Sequence, residues 1–320
     1  MTLPTFLSRL WQFAVVLLCV TFGCALLVRL LPIDLAQVLL PVATEADRVA
    51  FRQRIGLDKN VVAYYLDWLW GFVRGDFGDI YFSGGSEPVA DRIARALPRS
   101  ALLMLYTQIF SLAVAIPLGV WSAYRAGRRA DKVISHSLFA LSAFPSFAIG
   151  LTLIILLGVR WQLLPTLDYV PISDGLWPHL SHMIMPVLSL SVGLVATYTR
   201  LLRADMVAVL REDYITMAAS KGLSNARILW RHAFRPASIT LFTSAALNMG
   251  ALIGGAIVVE TIFATYGIGF EIFLAIQGRQ YLAIQSLVAL IAIFYVVFNV
   301  TVDVLAGVVD PRTRDRRVRA

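Results

Sequence analysis

The run ALLMLYTQIFSLAVAIPLGVWSAY, from Ala101 to Tyr124, contains 24 residues and no charged side chain. An α-helix needs about 20 mainly apolar residues to cross a bilayer, so this run predicts a membrane-spanning helix. Five other runs meet the same requirement: Leu10 to Val28, Val133 to Val159, His182 to Thr199, Ala237 to Phe263 and Tyr281 to Val309. The sequence therefore predicts an all-α integral membrane protein with six transmembrane helices.

The composition of the 320 residues excludes an ordinary soluble protein. Hydrophobic residues make up 58% of the chain and charged residues only 15%, whereas soluble chains carry about 25% charged residues. The bilayer must supply most of the apolar environment, and so hydrophobic a chain cannot be disordered. The two cysteines, Cys19 and Cys24, lie in the first span without a CxxC pattern, and we expect both to be buried packing residues.

The positive charge lies in three segments, which fixes the predicted orientation. The net charge is +8, and basic residues cluster between spans two and three, between spans four and five, and in the tail. Such loops face the cytoplasm, so both termini are predicted to be cytoplasmic. Topology and anionic lipid at the inner leaflet account for the surplus of positive charge, so no nucleic-acid partner is predicted.

Span boundaries divide the chain into an N-terminal helix at residues 1–31, an extracytoplasmic segment at 32–99, a core at 100–309 and a basic tail at 310–320. At 68 residues, the extracytoplasmic segment is too long for a simple connector. We expect it to fold, with RVAFRQRIGLDKNVVAYYLDWLWGFVRGDFG (48–78) forming one or two amphipathic helices. Its Tyr64, Tyr65, Trp68 and Trp70 fit either an interfacial aromatic belt or a docking surface for an extracytoplasmic partner.

No constellation of residues predicts catalysis by this chain. A phosphate-binding loop is missing, since no Gly-Lys pair occurs, so energy from ATP must come from another chain. Serines in the spans have no His and Asp on one helical face. His179 and His182 are three residues apart but have no acidic third ligand beside them, so they are expected to be loop or interface residues and no metal site is predicted.

Span five carries two features of interest. Ala246, Gly250 and Gly254 recur every four residues, a stripe that lets another helix approach closely, either from this chain or from a second subunit. Asn248 and Glu260 place polar groups in an apolar run. Polar groups at membrane depth are costly and often face a bundle interior or a water-filled path, so both are candidates for a pathway or gate, with bonding between helices as the alternative.

The segment REDYITMAASKGLSNARILWRHAFRPA, from Arg211 to Ala237, lies between spans four and five. Glu212 and Asp213 favour a helix start, and Gly222 can supply the positive φ that ends the helix. Ser224 or Asn225 can cap the next one. The segment therefore predicts a helix, a turn and a second helix. Its Ala218, Ala219 and Leu223 form an apolar knob that we expect to have no core of its own and to fit the groove of a partner.

At this segment the chain resembles the membrane permeases of ABC importers, in the dipeptide and oligopeptide family that also includes nickel and glutathione systems. That superfamily carries an EAA-x-x-x-G pattern. Aligned on Gly222, its first three places fall on Thr216, Met217 and Ala218. Further motifs follow in order along the chain: RLLP (29–32), RIGLD (54–58), RGDFG (74–78), EPV (87–89), IPLG (116–119), FPSF (144–147), VVETIF (258–263) and DPR (310–312). The chain departs from the family pattern at residues 33–35 and at 266–267, which concerns only the outer face.

The resemblance implies a type I ABC importer permease fold and a set of partner proteins. These are a second homologous permease, two cytoplasmic ATPase subunits that bind ATP and magnesium, and an extracytoplasmic substrate-binding protein. It also implies that the loop after span four is a coupling helix that docks into an ATPase. The residues expected to couple to the ATPase are Tyr214, Ala218, Ala219, Lys221, Gly222, Leu223 and Arg227.

The expected function is that of a membrane permease subunit in an ATP-driven importer of short peptides. The chain itself is expected to hold no cofactor and to catalyse no reaction. Nickel chelates, haem or glutathione are alternative substrates within the same family. A standalone secondary transporter is a more distant alternative, disfavoured because no internal repeat is evident and because the coupling loop would have no role.

Overall fold

The computed structural model describes residues 3–30, 36–37, 44–56, 58–82 and 85–309. Contacts divide it into two compact units. Among the described residues, the first contains those up to Arg99 and Tyr266–Val297, and the second contains Ser100–Thr265 and residues 298–309. The C-terminal tail from residue 310 lies outside the described residues.

Most of the described chain is helical. In the first unit lie α1 (Leu3–Leu30), α2 (Glu45–Arg54) and α3 (Val61–Val73), followed by strands β1 (Asp79–Phe82) and β2 (Gly85–Pro88). Helix α4 (Val89–Tyr124) leads into the second unit, which holds α5 (Arg129–Ser142), α6 (Ser146–Leu153), α7 (Leu176–Val209), α8 (Asp213–Ser220), α9 (Asn225–Arg227) and α10 (Phe234–Phe263). Helices α11 (Ile268–Gln277) and α12 (Tyr281–Val309) follow.

Three helices in the described chain are long and apolar enough to cross a membrane: α4, α7 and the Tyr281–Phe298 part of α12. Two more candidate spans are bent pairs, by 93° between Arg129–Ser142 and Ser146–Arg160, and by 58° between Asn225–Leu252 and Ala256–Phe263. Within α1 the apolar stretch Trp11–Leu27 is shorter than these. The helical membrane fold is thus confirmed, while the count of six spans stays a prediction.

The predicted third span, Val133 to Val159, is not one straight helix. It breaks before Pro145, which precedes α6, because proline disfavours helical backbone at the residue before it. Its last turns, Ile154–Arg160, form a π-helix. Pro186, in contrast, stays inside the continuous helix α7.

The described part of the segment after α1 contains two helices. Thr44 begins α2 through a capping box with Asp47, and the Asn60 side chain accepts a hydrogen bond from the Ala63 N–H at the start of α3. Each side chain satisfies a backbone group that the first turn leaves free. The sequence did not predict the antiparallel pair β1 and β2, whose register joins Asp79 to Pro88 and Phe82 to Gly85.

An ion cluster joins this pair of strands to α4 and α11. Glu87 accepts hydrogen bonds from Arg92 Nε at 2.9 Å and from Arg95, while Arg92 Nη1 lies 3.1 Å from Glu271 Oε2. The hydrogen bonds from Arg95 and Arg92 lower the pKa of the Glu87 carboxyl below its usual value. The cluster therefore stabilises the first unit when Glu87 is ionised.

In the second unit, α10 packs along α7, and both contact the bent pair of α5 and α6. Gly119 of α4 lies so close to α7 that an added Cβ would meet Leu202 at 3.0 Å. A core cluster at this end of the helices includes Val120, Tyr198, Leu202 and Met206. The segment after α7 packs against this core cluster.

Candidate functional site

Helix α8 and the turn after it have the geometry that the sequence predicted. The helix ends at Ser220, and Gly222 follows with φ +78°. The Gly222 N–H donates to the Ala219 carbonyl at 2.9 Å, and the Leu223 N–H donates to the Ala218 carbonyl at 3.4 Å. This pair of bonds is a Schellman motif. It places glycine at the one position that needs left-handed backbone.

The inner face of α8 packs into the chain itself. Ile215 and Ala218 are buried, and Leu223 is half-buried against the same core cluster. The expectation that Ala218 and Leu223 have no core of their own is therefore wrong. Ala218 follows Ile215 by three positions, so both point to one side of the helix, where Ile228 and Met206 belong to the same core cluster.

The outer face of α8 is exposed. Tyr214 and Met217 are 45% and 60% exposed, and Ala219, Lys221, Gly222 and Arg227 are exposed as well. Met217 was absent from the predicted contact residues, although the motif alignment placed it at a motif position. Partial burial, and then the nearby Glu212 carboxylate, raise the pKa of the Tyr214 hydroxyl. This face therefore carries apolar and cationic side chains on the side away from the core cluster.

A buried ion pair braces the helix ends beside α8, and the sequence did not reveal it. The Asp131 carboxylate accepts four hydrogen bonds. Arg203 donates two of them, from Nε at 2.5 Å and from Nη2 at 2.6 Å, and the others come from Ser122 Oγ at 2.5 Å and from the Gly127 N–H at 2.8 Å. These four bonds tie α5 to the ends of α4 and α7. The one available signal was an aspartate inside the basic run RRADK.

A second link joins the turn after α8 to α4. Asn225 Nδ2 donates to the Tyr124 hydroxyl at 3.2 Å. Ile228 and Ala233, which follow it, are buried in the core cluster together with Ala123 of α4. The segment therefore packs against α4, α7 and α10.

The small-residue stripe lies along α10. Ala246 is half-buried, Gly250 is buried and Gly254 is exposed, and no atom lies within 4 Å of a Cβ added at Gly254. The part of the chain that the structure describes thus leaves space for another helix at Gly254. Its packing against a neighbour stays a prediction.

Polar side chains meet inside the second unit. The Tyr198 hydroxyl of α7 donates to Gln108 Oε1 of α4 at 3.2 Å, and Asn248 of α10 lies 3.4 Å from Ser244 Oγ. Glu260 is fully buried and accepts a hydrogen bond from Ser100 Oγ at 2.6 Å. Among the described residues, Gln108 Nε2 and the hydroxyls of Thr107, Ser111 and Thr199 are buried without a hydrogen-bond partner.

The histidines and cysteines form no metal site in the described chain. His179 is buried with Nδ1 2.7 Å from the Val170 carbonyl and Nε2 3.1 Å from the Tyr106 hydroxyl, so Nδ1 donates to the carbonyl. His182 instead bonds the Pro178 carbonyl. Cys19 is exposed and Cys24 half-buried, so the expected full burial of both is wrong, because α1 leaves much of its surface to the bilayer.

Comparison with known proteins gives the family. Residues 115–315 match the family of the binding-protein-dependent transport system inner membrane component. A probable peptide ABC transporter permease, y4tP, of Sinorhizobium fredii is 34% identical over 96% of this chain and 98% of its own. The oligopeptide transport system permease AppB of Bacillus subtilis is 35% identical over 85% and 86%. The dipeptide transport system permease DppB of Escherichia coli is 33% identical over 82% and 84%.

A solved structure supports the fold. An inward-facing form of the MetNI methionine ABC transporter matches with a TM-score of 0.57 and 14% identity, covering 68% of this chain and 96% of that one. At such identity the match concerns the fold alone. The family match over residues 115–315 and the three similar permeases show that the chain belongs to the inner-membrane-component family of binding-protein-dependent transport systems.

Proposed function

We propose that this chain is the membrane-spanning permease subunit of an ATP-driven importer for short peptides and forms half of the translocation path. Relatives named as peptide, oligopeptide and dipeptide permeases match 82% or more of the chain, which supports the substrate class. Nickel chelates, haem and glutathione are the alternative cargoes.

The main support for this proposal is that α8 has one face buried in the core cluster and the opposite face exposed. Its inner face is fixed to the core cluster through Ile215 and Ala218, while Tyr214 and Met217 project outward. A short helix that is rigidly packed on one side and exposed on the other transmits a displacement as a rigid body. We propose that an ATPase subunit grips the outer face, with Lys221 supplying an orienting charge and Gly222 setting the turn.

The family to which the chain belongs supports a set of partners. We propose two cytoplasmic ATPase subunits, a second homologous permease that forms a heterodimer with this chain, and an extracytoplasmic binding protein. Both termini of the chain would be cytoplasmic. ATP and magnesium would belong to the ATPase subunits, since the sequence lacks a Gly-Lys pair and with it the usual phosphate-binding loop. This chain would need no cofactor.

We further propose that Asn248 lines the path together with Gln108 and Tyr198, and that Glu260 takes part in the gate. Buried polar groups without partners are costly, and groups at membrane depth that persist despite this cost often face a path. Replacing Gln108 by leucine removes an amide without enlarging the side chain. Uptake should fall while the amount of assembled transporter is unchanged, and Ile109→Leu, next along α4, is the matched control.

Changing the outer face of α8 tests the central proposal. Met217→Glu places a charge at a 60% exposed site and should abolish co-purification of the ATPase and ATP-driven uptake. Ala126→Glu adds the same charge in the exposed turn after α4 and should leave both intact. Normal uptake by Met217→Glu, or solute movement by the purified chain with no ATPase bound, would show the proposal to be wrong.

A separate experiment addresses the cargo. Uptake of labelled dipeptides and longer peptides is compared with uptake of a nickel chelate, haem and glutathione in a strain that lacks the gene. The complemented strain should restore peptide uptake. If it restores only one of the other solutes, the peptide assignment is wrong while the coupling role of α8 stands.

A further inference from the structure

Helix α3 presents opposite faces of different character. Tyr64, Tyr65 and Trp68 are buried. Four large apolar side chains point the other way, with exposed fractions of 56% for Val62, 56% for Leu66, 61% for Trp70 and 73% for Val73. Their spacings of four, four and three residues place them on one stripe. We call this set the α3 stripe.

The buried face fixes the depth of α3 against α1. The Tyr65 hydroxyl lies 2.9 Å from Thr21 Oγ1 and 3.3 Å from the Leu18 carbonyl, and Ala25 joins the same cluster. Thr21 lies nine residues before the end of α1 at Leu30, which is about 14 Å at 1.5 Å per residue. Helix α3 therefore lies beside the body of α1, not beyond its end.

Helix α12 gives an independent measure of the same depth. Trp68 Nε1 donates to Ser286 Oγ at 3.0 Å, and Ala289 packs in the cluster with Trp68. These residues lie five and eight positions after the start of α12 at Tyr281, or about 8 and 12 Å along the helix. Both distances are shorter than half the thickness of a hydrocarbon layer, which is about 30 Å.

Charge on α3 is confined to its flank and to the residues next to its ends. Asp67 lies about 100° around the helix from Leu66 and is paired with Lys59 at 2.6 Å. At the other end the Arg74 guanidinium lies 4.2 Å from the centre of the Trp70 ring. An apolar face with polar groups at the flank and ends is typical of a helix in the membrane interface.

From these observations we propose that α3 is embedded in the outer leaflet and that the α3 stripe contacts phospholipid acyl chains. A soluble partner does not reach this depth. A packed transmembrane helix of another subunit favours small residues at its interface, whereas the stripe consists of two valines, a leucine and a tryptophan. The neighbouring α1 also exposes large apolar side chains, including Val16, Val20 and Leu27, so the stripe continues a lipid-facing surface. The proposal does not depend on the transported solute.

Spin-label accessibility tests the proposal in the transporter purified with its partner subunits and placed in phosphatidylcholine–phosphatidylglycerol nanodiscs. Cys19 and Cys24 are replaced by alanine, and a nitroxide is attached at Leu66→Cys. Val16→Cys on α1 is the lipid reference, and Asp58→Cys, just before α3, is the aqueous reference. Collisions with oxygen report hydrocarbon, and collisions with a water-soluble nickel chelate report water.

The Leu66 label should resemble the Val16 label, with frequent collisions with oxygen and few with the chelate. Frequent chelate collisions would mean that the stripe faces water, and few collisions with either probe would mean that a protein subunit covers it. Either result overturns the proposal. As a measurement without a label, Trp70→Phe should remove a fluorescence component that lipids brominated on the acyl chains quench. An unquenched Trp70 component would also overturn it.

Discussion

Breaking the Asp131–Arg203 pair should destabilise the protein far more than breaking an ion pair on its surface. The Asp131 side chain is only 4% exposed and accepts four hydrogen bonds, two of them from Arg203. In Asp131→Asn a single amide oxygen can accept at most two of these bonds. The guanidinium is left without its counter-charge.

The magnitude follows from the bonds that are lost. A hydrogen bond to a charged group contributes about 1.5 to 3 kcal/mol, and removing one partner of a buried pair costs about 3 to 5 kcal/mol. The Arg203 side chain is 32% exposed, so water can partly compensate the guanidinium. We therefore expect a loss of about 2 to 4 kcal/mol in the free energy of unfolding.

The assay is a double-mutant cycle on the transporter in nanodiscs, with reversible unfolding of wild type, Asp131→Asn, Arg203→Gln and the double variant. The coupling free energy should reach about 1 to 3 kcal/mol. Glu45→Gln is the matched control, because the Glu45–Arg52 pair at 2.9 Å is exposed and should contribute less than about 1 kcal/mol. A coupling energy no larger than that of the control pair would refute the bracing role of Asp131.

Three further predictions concern α8 and the strand pair. Gly222→Ala should lower the free energy of unfolding by about 1 to 2 kcal/mol, because φ is +78° while no atom lies within 4 Å of the added Cβ. Gly222→Trp adds bulk on the exposed side and should abolish transport and ATPase binding without preventing membrane insertion. Normal uptake by that variant would contradict the coupling role. Ala218→Trp should lower Tm by overpacking the core. Ala219→Trp, at the next and exposed position, should leave Tm unchanged and abolish ATPase binding. Equal effects of the two variants on Tm would argue against two distinct faces of α8. The Glu87 pKa is lowered in the folded state, so the ionised carboxylate stabilises the protein above the unfolded pKa of about 4.5, and this contribution is lost as the pH falls through the folded pKa. The Tm difference between wild type and Glu87→Gln should therefore be constant from about pH 6 to 8 and shrink in acid. A difference that grows in acid would contradict this sign.

The sequence could predict what depends on neighbours along the chain. Apolar runs such as Ala101 to Tyr124 predict membrane helices because a helix satisfies its own backbone hydrogen bonds. The boundaries of α8 followed from acidic residues at its start and from Gly222 at its end, since capping and left-handed backbone are local properties. The motifs then gave the family, and with it the candidate coupling segment.

Only the tertiary structure decided which face of each helix is occupied. Ala218 and Ala219 are both small and apolar, yet one is buried in the core and the other exposed, because the placement of α8 on α4, α7 and α10 selects between them. Asp131 and Arg203 are 72 residues apart and meet only when α5 packs on α7. The depth of α3 likewise depends on contacts with α1 and α12. Such contacts join distant parts of the chain, so no local pattern in the sequence encodes them.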